Sequence, residues 1–104
     1  MTDPHARSVE EALDALAVDP EYPQALYEMA LLTYADGRPL QTRAFLSRLA
    51  GLGVVTPQSL LLCYRAELQL GNREDAQHCA SRLQRRFPES EEAAELHRQG
   101  DSRG

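Results

Sequence analysis

Two cysteines, three histidines and two adjacent glutamate pairs are the side chains whose types could support chemistry. Cys63 and Cys79 are too few for a disulfide framework and match no standard metal-ligand spacing. A pair of small buried thiols is the plain reading. A structural disulfide suited to an oxidising compartment is a second, and a reactive redox pair a third. His5, His78 and His97 are scattered, and none belongs to an HExxH pattern. A metal site needs several converging ligands, so these read as surface histidines. Glu10-Glu11 and Glu91-Glu92 are sequence neighbours, and on a helix such side chains diverge by about 100°. They describe solvated faces and no acid/base dyad. Gly51-Leu52-Gly53 lacks the preceding strand and third glycine of a phosphate-binding loop, so it reads as a helix stop. With no GxSxG, no P-loop and no cysteine–histidine arrangement, neither catalysis nor a cofactor or metal is expected.

Composition narrows the class further. The formal charge of −5 argues against a sequence-independent grip on nucleic-acid phosphates; every basic residue is arginine, which carries little weight for function. No apolar run is long enough to span a membrane, and no basic-then-apolar export signal follows Met1. At 104 residues the chain suits one domain with a modest core. Leucine and alanine dominate, isoleucine and tryptophan are absent, and period-2 patterning is missing, so an all-α protein is expected.

The elements that must carry these residues repeat. The stretch Pro57–Pro88 reads as two amphipathic helices joined at Gly71-Asn72, and a shift of 34 residues superimposes an earlier copy without a gap. Gly37 falls on Gly71, Pro23 on Pro57, Tyr22 on Thr56, Thr42 on Ala76 and Leu49 on Leu83; Pro20 and Pro88 lie two periods apart, with Val54 between them. That period with that pattern resembles the tetratricopeptide (TPR) repeat. The spacing predicts helices over about 4–18, 23–35, 39–50, 57–70, 73–87 and 90–99, arranged as one TPR solenoid over 1–99. It comprises about two and a half repeats and a polar C-terminal capping helix, with 100–104 a disordered tail. Asp3, Thr56, Asn72 and Ser90 are the expected caps. The first helix has no partner from its own repeat, so the N-terminus reads as a cut through a longer array and the C-terminus as natural. The exposed edge of that first helix could also support self-association.

In a TPR array, the first helix of each repeat turns its positions 2, 5, 9 and 12 into the concave face. Here these are Gln24, Tyr27, Leu31 and Tyr34, then Gln58, Leu61, Arg65 and Leu68. Such a mixed apolar groove suits a peptide or helix. Only Arg65 resembles the basic set with which some TPR proteins grip acidic peptide termini, so that mode is not expected. Arg82, Arg85 and Arg86 read as a solvated face.

A narrower resemblance is carried by YPQALYEMALLTYADG, TRAFLSRL and LGNREDAQHCASRLQRRFPESEEA. These stretches look like the C-terminal half of the type IV pilus biogenesis/stability proteins of PilW/PilF type, including the Arg-Arg-Phe-Pro run. The resemblance implies a pilotin: a lipid-anchored adaptor on the periplasmic side of the outer membrane that assists assembly of the pilus secretin, its protein partner. Leu26 and Leu60 replace the common repeat tryptophan, and Val54 replaces a proline. The other reading is a TPR scaffold domain of a larger regulator or enzyme complex. A lipobox cysteine upstream of Met1 would support the first, and a catalytic or DNA-binding domain the second.

Overall fold

The computed structural model describes residues 4–19 and 21–101, with side chains for 10–19 and 21–99. Six helices follow in order: α1 Pro4–Val18, α2 Pro23–Ala35, α3 Pro39–Gly51, α4 Pro57–Gln69, α5 Arg73–Arg86 and α6 Glu91–Asp101. No strand occurs among the described residues. The expected Asp3 cap lies outside them, and α6 takes in Gly100 and Asp101, the first residues of the expected tail. The rest of that tail lies outside the described residues.

Helix starts follow from local chemistry. Pro23, Pro39 and Pro57 each open a helix, where a missing N–H is one of the unpaired donors in any case. At α4, Thr56 and Ser59 form a reciprocal capping box: the Ser59 N–H donates to Thr56 Oγ1 and the Thr56 N–H to Ser59 Oγ, each at 3.0 Å. Ser90 caps α6 through an Ala93 N–H to Oγ bond of 3.1 Å.

The helix ends show the repeat at atomic level. Gly37 and Gly71 both adopt left-handed φ values, 75° and 79°. The Arg38 N–H donates to the Thr33 carbonyl and the Gly37 N–H to that of Tyr34; 34 residues on, Asn72 donates to Glu67 and Gly71 to Leu68. Both are Schellman closures, in which a glycine carries the backbone conformation that costs other residues most. Gly53, φ 79°, closes α3 the same way, with its N–H on Ala50 and that of Val54 on Leu49. The GxG is therefore a helix stop, and both of those amides are already used.

The chain divides into two compact units, Met1–Val54 and Val55–Gly104. In the first, α2 packs against both α1 and α3. Its buried side chains include Ala12, Ala25, Leu26, Ala30 and Leu49. Two buried hydroxyls join α2 to α3: Thr33 and Thr42 share a 2.9 Å hydrogen bond, and Thr33 also donates toward the Met29 and Ala30 carbonyls of its own helix. In the second unit α4 and α5 form an antiparallel pair and α6 packs on both. Leu60, Leu61, Ala80, Leu83, Ala93 and Leu96 make its core, with Val55, Tyr64 and Phe87 at the margin. The small residues Ala76 and Ala80 let α5 approach α4 closely.

Candidate functional site

The helical face expected to meet a partner is best followed within each unit separately. On α2, Gln24 is exposed, Leu31 is 42 % exposed, and Tyr27 and Tyr34 are half-buried. Their spacing at i, i+3, i+7 and i+10 keeps all four on one side of the helix, away from the buried Ala25, Leu26, Ala30 and Thr33. The Tyr22 hydroxyl reaches Gln24 Oε1 at 3.5 Å, at the edge of this face. The result is a strip of leucine and tyrosine with polar tips, a surface that can bury area against another chain and hydrogen-bond at its margin.

On α4 the four equivalent positions meet different surroundings. Gln58 is exposed. Leu61 is only 6 % exposed, because it belongs to the core that α6 completes with Ala93 and Leu96. Arg65 donates from its guanidinium to Glu95 of α6 at 2.5 Å, with each side chain about a third exposed (35 % and 36 %). Leu68 is half-buried and lines a small 120 Å³ pocket with Tyr64, Arg73, Ala76 and Gln77. Thus α6 occupies part of the α4 face, whereas Leu31 on α2 remains open to solvent.

Several side chains do work that spacing did not indicate. Cys63 and Cys79 form a disulfide between α4 and α5, with Cα atoms 6.1 Å apart, so the expectation of two free thiols is corrected. Antiparallel packing of the helix pair brings them together, although they are sixteen residues apart in sequence. Asn72 does not cap α5 as expected: its side-chain amide donates instead to Glu67 Oε1 at 3.1 Å. Capping would need Asn72 Oδ1 to accept from the first helical N–H groups; the side chain instead turns its NH2 toward Glu67, a buried carboxylate that needs a donor. Glu95 is the other residue missed, since no local pattern links it to Arg65 thirty positions earlier.

Chemistry in the narrower sense has little to build on. His78 and His97 are exposed, and no group of three or more His, Cys, Asp or Glu among the described residues is placed to hold a metal. A broad, shallow cleft of about 590 Å³ runs between α5 and α6, lined by Gln84, Pro88, Ala93, Ala94, His97 and Arg98. Among the described residues, no helix is long and apolar enough to cross a membrane.

Comparison with solved structures places this surface in context. The chain is similar to PilW, described as a widely conserved type IV pilus biogenesis factor, with 26 % sequence identity and a TM-score of 0.76 over 85 % of this chain. It is also similar to PilF of Pseudomonas aeruginosa, with 26 % identity and a TM-score of 0.81 over 91 % of this chain. The fold is that of a TPR-type helical repeat. The expected likeness to PilW and PilF holds in fold and in sequence. The chain spans 40 % and 43 % of those two proteins. No family model and no curated protein matches it.

Proposed function

We propose that this TPR-type chain is the protein-binding part of a type IV pilus assembly adaptor, a pilotin that engages a segment of the pilus secretin. The observation that carries this reading is the likeness to PilW and PilF, which extends over at least 85 % of the chain at 26 % identity. The surface supports it: an open leucine–tyrosine face on α2 without a cluster of catalytic or metal-binding groups among the described residues. The Cys63–Cys79 disulfide is in keeping with an exported protein at the periplasmic side of the outer membrane, where such bonds persist. The binding residues are the α2 set within the first unit, Gln24, Tyr27, Leu31 and Tyr34.

The test is a pull-down from outer-membrane extract with the full-length protein, comparing wild type with Tyr27→Ala/Leu31→Ser. Recovery of a secretin with wild type, and its loss with the folded double variant, supports both the adaptor and its site. Recovery with both proteins keeps the adaptor and rejects the α2 face. Recovery of no secretin by wild type rejects the pilotin reading and leaves a TPR scaffold with another partner.

A further inference from the structure

The α2 face is apolar along its centre and anionic around it. Leu31 is the exposed apolar residue, with Gln24 and Ala35 exposed on the same side and Tyr27 and Tyr34 along one flank. Helical spacing sets Glu28 on the other flank, four residues after Gln24 and three before Leu31. No cation occurs on α2. The charged side chains from residue 10 to residue 36 are all carboxylates: Glu10, Glu11 and Asp14 on α1, Asp19 and Glu21 before α2, Glu28 within it, and Asp36 at its end. From residue 37 to residue 54 the sign reverses completely, to Arg38, Arg43 and Arg48. Arg7 is the one arginine of α1, against three carboxylates, so the negative charge is concentrated on residues 10–36 and is not a uniform consequence of the net charge.

We propose that the α2 face docks a basic amphipathic segment of a partner protein. This inference rests on the adaptor reading and specifies the chemistry of what is bound. Apolar side chains of the segment lie against Tyr27, Leu31 and Tyr34, and its Lys or Arg residues turn toward Glu28 and the flanking carboxylates. Two physical terms then act together. Contact with leucine and tyrosine supplies buried area, and a guanidinium can also stack on a tyrosine ring. The surrounding carboxylates raise the local concentration of a cationic segment and disfavour an acidic one, including any nucleic-acid strand. With screening over about 8 Å at physiological salt, Glu28 and the carboxylates before α2, Asp19 and Glu21, act most strongly, whereas Asp36 at its other end is two residues from Arg38.

The experiment measures fluorescence anisotropy of labelled synthetic peptides with the full chain. Three peptides share one leucine pattern and carry Arg, Glu or Gln at every other position. The Arg peptide should bind about tenfold or more tighter than the Glu peptide, and its affinity should fall at least about fivefold between about 50 mM and about 300 mM salt. Leu31→Ser should weaken it severalfold, and Glu28→Gln with Glu21→Gln should narrow the Arg-to-Glu preference, while circular dichroism shows both variants folded. Equal binding of the Arg and Glu peptides overturns the proposal. So does Arg-peptide binding that ignores Leu31→Ser, which would be charge attraction without a site. Sedimentation showing a dimer that Leu31→Ser dissolves overturns it too, by assigning the face to a second copy. A secretin recovered in the pull-down and lost with Tyr27→Ala/Leu31→Ser, combined with no peptide preference, keeps the adaptor and rejects the basic segment.

Discussion

Leu31 and Leu61 both sit on the helix face that the repeat register directs toward a partner, yet the fold gives them different tasks. Leu31 is 42 % exposed, whereas Leu61 is 6 % exposed and packs among Leu60, Leu83 and Leu96. Truncating a buried leucine removes transfer free energy and leaves a cavity, so Leu61→Ala should destabilise the second unit by about 2–5 kcal/mol. Leu31→Ser removes a side chain that is 42 % exposed and should cost less than Leu61→Ala, about 0.5–1 kcal/mol, while weakening partner binding. Urea titration of both variants, followed by the pull-down, separates the two effects. An equal loss of stability from Leu31→Ser would show that this residue is part of the core. The sequence carried the face of each helix but not its neighbour. Periodicity assigns a side chain to a direction, and only the docking of α6, with Glu95 on Arg65, decides which directions stay open.

At the scale of elements, the chain was far more legible, because helix ends depend on nearby residues. Prolines at the first helical position, the Thr56–Ser59 box and the glycine closures all act within a few residues, and each left a recognisable signal. Asn72 departs from the expected cap because the burial of Glu67, which spacing does not report, sets which way its side chain turns. The matching closures allow a quantitative prediction. A Cβ added at Gly37 or Gly71 meets nothing within 4 Å, so the cost of alanine is backbone strain alone. Both φ values lie in the left-handed region, and Gly37→Ala and Gly71→Ala should each lose about 1–2 kcal/mol. Asparagine at either position should lose less, since it enters that region more readily. Denaturant midpoints for the four variants check this. Unequal losses at the two glycines would mean that the two closures, alike in hydrogen bonding, differ in an interaction beyond the turn.

At the scale of the whole molecule, the two units are stabilised by different means. Residues 55–104 combine a leucine core, three helices and the Cys63–Cys79 link. The large apolar side chains that stay exposed among the described residues, including Leu13, Val18 and Leu40, all belong to residues 1–54. A unit of this size is near the limit at which a hydrophobic core suffices without a covalent staple. The bond spans sixteen residues of sequence, and restricting the unfolded chain over such a loop is worth about 3 kcal/mol in the chain-entropy model. Residues 55–104 expressed alone should therefore fold when oxidised, with a helical spectrum and one cooperative transition. Reduction, or Cys63→Ser/Cys79→Ser, should lower the midpoint sharply or abolish the transition. The comparison is thermal melting with and without reductant, with thiol titration confirming the oxidised state. Because the bond acts by restricting the unfolded chain, the oxidised and reduced forms should show the same helical content at low temperature wherever both are folded. If reduction leaves the midpoint unchanged, the leucine core alone holds α4, α5 and α6 together.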